Sequence, residues 1–149
     1  MTTNESSNTE ELPVATCWQL VRESVVGRLA VVARGLPDIF PINHVVDHGS
    51  VVFRTGAGTK AAAAAGHDVA FEVDGYDTSD GTAWSVVVKG IAHEIWETNE
   101  SIHALSLGLS PWQEGRKPRF LRIEPNSVTG RRLHVTGGAR RTSSSEPPA

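Results

Sequence analysis

Short β-branched runs broken by turn-forming residues follow one another from Arg28 to Ile123, and this pattern constrains the fold more than any other feature. Arg28-Leu29-Ala30-Val31-Val32-Ala33 reads as a strand buried on both faces, and residues 34–38 read as a turn. Ile39, Pro41 and Asn43 alternate with Phe40, Ile42 and His44 up to Val46, which predicts a second strand. Proline cannot donate to a ladder, so Pro41 implies an edge or a bulge there. Asp47-His48-Gly49-Ser50 is a hairpin signal leading into a third strand, Val51–Thr55. Asp68–Asp74 alternates as a fourth strand, and residues 75–81 are loop-like. An apolar run then extends from Trp84 through Ile91 and Ile95 to Trp96, with Gly90 marking a bulge or tight bend. A last strand is expected over Arg119–Ile123.

Helical spacing is confined to three short stretches. Cys17, Leu20, Val21 and Ser24 share a face after Leu12-Pro13, with Trp18 near that face and Gly27 as the expected stop. Thr59 can cap a helix over residues 60–65 that ends at Gly66, and residues 99–109 carry Ile102, Leu105 and Leu109 on one face before Pro111. Five or six hairpin-joined strands with short helices point to a mainly β, antiparallel barrel rather than a parallel sheet.

A chain of 149 residues supports one domain, expected over residues 12–135. The ends, 1–11 and 136–149, lack the apolar side chains that offset the entropy of ordering and read as disordered tails. A formal charge of −3 argues against nucleic-acid binding. The single cysteine, Cys17, excludes an internal disulfide and reads as a packed thiol in a reducing compartment. No run approaches the ~20 apolar residues of a membrane helix. The N-terminus is polar and acidic, unlike a signal peptide, so a cytoplasmic location is expected.

The strongest chemical signal is Arg54-Thr55-Gly56-Ala57-Gly58-Thr59-Lys60, where a strand end feeds a glycine-rich turn that opens a helix. Free backbone N–H groups and the positive helix end favour an anion there. Thr55 and Thr59 can donate hydroxyl hydrogen bonds, Arg54 can grip phosphate oxygens in a fork, and Lys60 adds a point charge. From the segment alone, a solvated surface turn is an equal reading. The P-loop spacing is absent. Gly-x-Gly-x-x-Ala at 56–61 echoes a dinucleotide fingerprint, but the downstream sequence is mostly strand rather than repeated strand–helix–strand units.

With these residues in view, the chain resembles the pyridoxamine 5′-phosphate oxidase-like, FMN-binding split-barrel superfamily, in its small actinobacterial-type branch. The resemblance spans about residues 14–132. It rests on Val26-Gly27-Arg28-Leu29-Ala30, Phe40-Pro41-Ile42-Asn43, Phe53-Arg54-Thr55 with Gly58-Thr59-Lys60, Val69-Ala70-Phe71-Glu72-Val73-Asp74, and Trp84 to Gly90. It implies a Greek-key split β-barrel of about six antiparallel strands that forms a homodimer with FMN in the clefts between subunits. Arg54, Thr55, Thr59 and Lys60 would hold the phosphate, while Asn43, Trp84 and Ser85 would border the isoalloxazine ring. A flavin-dependent oxidoreductase acting on a small molecule is implied, with no obligatory catalytic side chain. A non-catalytic flavin carrier or sensor, a deazaflavin-dependent reductase and a haem-binding member using His44 or His67 are the alternatives. The chain departs from true pyridoxamine phosphate oxidases in being shorter and in lacking their C-terminal basic, histidine-containing motif. Arg131-Arg132-Leu133-His134 is a superficial echo of that motif, so vitamin B6 oxidation is not expected.

The remaining residues have blander readings. Trp112 reads as packing, and Trp84 as either packing or a flavin-stacking ring. The histidines at 44, 48, 67, 93, 103 and 134 form no metal-ligand spacing. His44 reads as a partly exposed strand residue or a cleft proton donor. Glu72 and Asp74 form an outward polar row. Arg116, Lys117, Arg119, Arg131 and Arg132 are solvated, or else supplement the phosphate site across a dimer.

Overall fold

The computed structural model describes residues 9–55, 63–95 and 119–135. Its elements, in order, are β1 (Thr9–Glu11), α1 (Val14–Glu23), β2 (Val26–Ala33), β3 (Leu36–Asp47), β4 (Ser50–Thr55), β5 (Asp68–Asp77), β6 (Thr82–Glu94) and β7 (Arg119–His134). The strands form one sheet in the order β1-β7-β4-β3-β2-β5-β6, and β6 also pairs with β7. That second pairing closes β2 to β7 into a six-stranded antiparallel barrel, with β1 added on the outer edge of β7. The spatial order β5-β2-β3-β4 is a Greek key, the fourth strand returning beside the first.

Two hairpin turns set the register of β2, β3 and β4. Arg34-Gly35 and His48-Gly49 each join directly paired strand ends, Ala33↔Leu36 and Asp47↔Ser50. All four turn residues have positive φ, as a two-residue turn matching strand twist requires. The second turn falls where the sequence placed it. The first is shorter than expected, because residues 36–38 continue the ladder opposite Val31–Ala33.

Pro41 pairs with Arg28 on β2, and β4 joins β3 only from His44 onwards. Pro41 therefore sits where β3 has a ladder on one side, the local edge its missing N–H demands. β2 alternates buried Gly27, Leu29 and Val31 with outward Val26, Arg28 and Val32, so it is buried on one face rather than both. β4 carries apolar burial on both faces. Val51 and Phe53 join the barrel interior, and Val52 packs outside with Ile95, Phe120 and Val45.

The interior is filled by Leu29, Val51, Phe53, Phe71, Val73, Val86, Val88, Leu121 and Ile123, all fully buried. Helix α1 adds Cys17 and Val21 to the same cluster. Its end differs from the expected glycine stop. Ser24 caps it, with both its N–H and its hydroxyl donating to the Leu20 carbonyl (3.1 and 2.8 Å). Gly27 belongs to β2 instead, where an added Cβ would collide with the Phe71 ring. Gly130 has the matching role under α1, since a Cβ there would lie 2.6 Å from Cys17 Sγ.

Two strands run longer than expected. β5 continues through Gly75 to Asp77, because the Trp84 indole from β6 covers the glycine. β7 continues to His134 along β6, absorbing Pro125 at a register shift between Lys89 and Gly90. The bend expected at Gly90 is this bulge, where an added Cβ would strike the Glu124 carbonyl. Thr9–Glu11, assigned by sequence to the tail, pair with Leu133–Arg131. Backbone pairing needs no apolar side chain, and Leu12 then anchors the segment through its N–H to the Gly130 carbonyl (2.9 Å). The remaining tail residues, the helix expected over 99–109, Trp112, Arg116 and Lys117 lie outside the described residues. Among those described, no helix is long and apolar enough to cross a membrane.

Candidate functional site

β4 delivers the phosphate-segment residues. Thr55 is its last residue and pairs with Arg119, while Arg54 pairs with Phe120. Successive strand side chains face opposite sides. Arg54 therefore points outward beside Val52 and Phe120, and Thr55 turns inward, buried, on the face of Phe53. Arg54 is half-buried, and this burial draws its guanidinium below its ordinary pKa without bringing it near neutrality. Asn43 is exposed on β3, one residue beyond the rung His44↔Phe53, which sets it on the outer face next to Arg54. Asn43 and Arg54 thus form one locus. Thr59 and Lys60 lie outside the described residues.

The far end of the same segment is anchored. Ala63 and Ala64 make a short 3-10 turn in place of a full helix end, and Gly66 takes φ 82°. Gly66 N–H donates to the Ala92 carbonyl (2.7 Å), and Ala92 N–H donates to the His67 carbonyl (3.1 Å). Gly66 and His67 are thereby tied to Ala92, near the end of β6.

Trp84 and Ser85 are elsewhere. They pair with Gly75 and Asp74 on β5 and with Arg132 and Arg131 on β7. Glu94, at the other end of β6, pairs with Leu121, which is itself opposite Phe53. Nine residues of strand separate Ser85 from Glu94, roughly 30 Å at about 3.3 Å per residue. Across the sheet the path is shorter: Asn43 pairs with Val26 on β2, β2 meets β5 at Arg28↔Glu72, and Asp74 pairs with Ser85, so Ser85 lies three strand spacings from Asn43, on the order of 15 Å. The Trp84 indole lies over Gly75 and against the core, a packing role that leaves the ring half-buried.

Several polar groups invisible to spacing arguments frame these loci. Arg119 and Glu94 form a two-pronged ion pair at the Thr55 end, one prong being Nε to Oε2 at 3.1 Å. Arg119 is thus held by a carboxylate rather than solvated. Arg122 reaches Asp47 Oδ2 (3.0 Å) and Ser50 Oγ (2.6 Å), clamping the β3–β4 hairpin to β7. Glu72 and Asp74 do face outward, with Arg28 Nη1 between them at 3.3 and 3.1 Å. Burial and the neighbouring Asp74 raise the Glu72 pKa, while Arg28 works against both. Arg132 meets Glu10 of β1 at 3.3 Å, so the C-terminal echo serves the N-terminal strand. These pairs depend on strand register, which would have exposed them had β7 been drawn to its full length.

His44 fits neither sequence reading. It is buried, only 6% exposed, with Nε2 donating to the Val21 carbonyl of α1 (2.8 Å). Its ring packs edge-on to Phe71, 4.7 Å between centroids.

The whole arrangement has a family match. A family model described as pyridoxamine 5′-phosphate oxidase covers residues 13–132, from just before α1 nearly to the end of β7. The chain belongs to this family. An uncharacterized Mycobacterium tuberculosis protein is 36% identical over 113 residues, 72% of this chain and 74% of that protein. Among solved structures, an FAD binding protein from Mycobacterium smegmatis superposes with TM-score 0.76 at 35% identity, covering 84% of this chain and 98% of that one. A protein of unknown function from Corynebacterium diphtheriae gives TM-score 0.73 at 36% identity, covering 86% and 99%. As a pyridoxamine 5′-phosphate oxidase family member, the chain keeps the barrel with β7 as its closing strand.

Proposed function

We propose that this protein binds a flavin nucleotide in clefts between two copies of the chain and serves as an oxidoreductase for a small molecule. The observation that carries this reading is the 35% identity, at TM-score 0.76, to a protein that binds FAD. The structure fits such a ligand. Arg54 is a cation kept charged and half-buried at a strand end, aimed outward next to the exposed amide of Asn43. With Thr59 and Lys60 following on the same segment, Arg54 would hold the flavin's phosphate.

The cleft is read as shared by two subunits. In a two-fold dimer, the same patch serves both copies. Asn43 and Arg54 of one copy would then face Trp84 and Ser85 of the other. The outer face supports such packing, with Val26, Val32, Leu36 and Ile39 all more than half exposed. A bound flavin would supply the hydride and electron transfer itself. The chain's part is to bind the phosphate, orient the ring and exclude water.

The test is a fluorescence titration of the purified protein with FMN and FAD, with a deazaflavin and haem alongside. Saturation by FMN or FAD at one per chain is the expected result, followed by flavin reduction with NADH or NADPH. Binding of the deazaflavin or haem alone overturns the cofactor. A flavin that binds but is never reduced overturns the oxidoreductase reading and leaves a carrier.

A further inference from the structure

We propose that His44 is an acid-sensitive latch that holds helix α1 on the barrel and releases it when the imidazole is protonated. The inference does not depend on which ligand the protein carries. The last carbonyls of a helix have no partner within it. In α1 the Leu20 carbonyl is taken by Ser24, and the Val21 carbonyl by His44 Nε2 at 2.8 Å. A carbonyl only accepts, so Nε2 carries the hydrogen and Nδ1 of the neutral ring carries a lone pair. That Nδ1 is buried and has no hydrogen-bond partner. A second proton would therefore place a full charge and an unsatisfied donor inside the barrel.

Among the described residues, nothing around the ring offsets that charge. From β4 the opposite residue is Phe53, from β5 it is Phe71, and from β2 the inward residues are Gly27 and Leu29. Of the charged groups on these elements, Arg28, Arg54, Glu72 and Asp74 face outward, and Asp68 and Asp77 are exposed at the two ends of β5. On β3 itself, Asp38 and Asp47 lie towards the two ends, and Asp47 engages Arg122. On α1, Arg22 and Glu23 are exposed, and the Cys17 thiol turns to the Leu12 carbonyl. Burial accordingly lowers the His44 pKa, and the bond to Val21 opposes this only as the smaller effect. The stabilisation is complete above the ordinary histidine range, about pH 6.5, and is lost as pH falls towards the depressed folded value. Swinging the ring out to water relieves the charge but breaks the bond to Val21, so α1 loosens before the strands do.

Amide hydrogen exchange on the whole chain, compared between about pH 7.5 and pH 5 after correction for intrinsic rates, tests the latch. Protection over residues 14–24 should fall, while β2 and β5 keep theirs. His44→Gln keeps a neutral donor for Val21 and should abolish the pH dependence of α1. Flat protection in the wild type, equal loss in α1 and the strands, or the same fall in the variant would overturn the proposal. Ring NMR of the wild-type histidines gives an answer even if the variant fails to fold. Helix opening must track a His44 titration below the ordinary histidine range, and opening while His44 is still neutral would refute it.

Discussion

Arg54 shows how much a single strand position decides. It sits where the side chain is forced outward by alternation, beside Asn43, while burial strips part of its water. Charge-assisted hydrogen bonds contribute about 1.5–3 kcal/mol each. The double variant Arg54→Ala, Lys60→Ala should therefore weaken flavin binding by three or more kcal/mol, roughly a hundredfold or greater, with an unchanged circular dichroism spectrum. Unchanged affinity in the folded variant would remove these residues from the site. Thr55 should matter less through its hydroxyl, which faces the barrel interior. Reading the segment as one phosphate-gripping string overlooked this, because composition shows which residues are near in sequence and not which face each occupies.

At the level of elements, two glycines sit at close approaches between elements. Gly90 lies under the Glu124 carbonyl at the β6–β7 bulge, and Gly130 lies under Cys17 of α1. A methyl at either place must displace backbone or core. Gly90→Ala should lower stability by about 1–3 kcal/mol, the usual range for overpacking, in a urea titration. Gly130→Val should cost a similar amount and also perturb the near-ultraviolet signal of Trp18 on α1. The strands from β2 to β6 were legible because β-branched runs and two glycine turns punctuate them clearly. β7 was drawn less than half its length because Pro125, Asn126 and Gly130 lower its local propensity. Its continuation is enforced by pairing with β6, a partner some forty residues away that no local pattern reveals. The end of α1 was misplaced for a related reason, since Gly27 answers to Phe71 across the barrel rather than to helix termination.

For the molecule as a whole, the proposed two-subunit cleft makes a prediction about assembly. Sedimentation at micromolar concentration should give a dimer. Trp84→Ala chains and Arg54→Ala, Lys60→Ala chains should each bind flavin poorly, but mixed and reassembled they should regain about a quarter of wild-type sites. Half of randomly formed dimers are hybrids, and each hybrid has one intact cleft out of two. No recovery, with both variants dimeric, would place the whole site within one chain. The fold class and the family were legible from the ordered motifs together. The placement of Asn43 and Arg54 relative to Trp84 and Ser85 was not, because it follows from strand order and register.

β7 touches β1, β4 and β6, so the ring cannot close until the last of the described strands is available. During synthesis the earlier strands emerge with the edges of β4 and β6 bare, and bare edges invite pairing with other chains. Contacts such as Val51↔Ile123 span about half the sequence, which makes closure late and slow. A nascent chain of this protein therefore keeps these edges bare until β7 has emerged. Ribosome stalling before residue 119 would yield an aggregate rather than a partial domain.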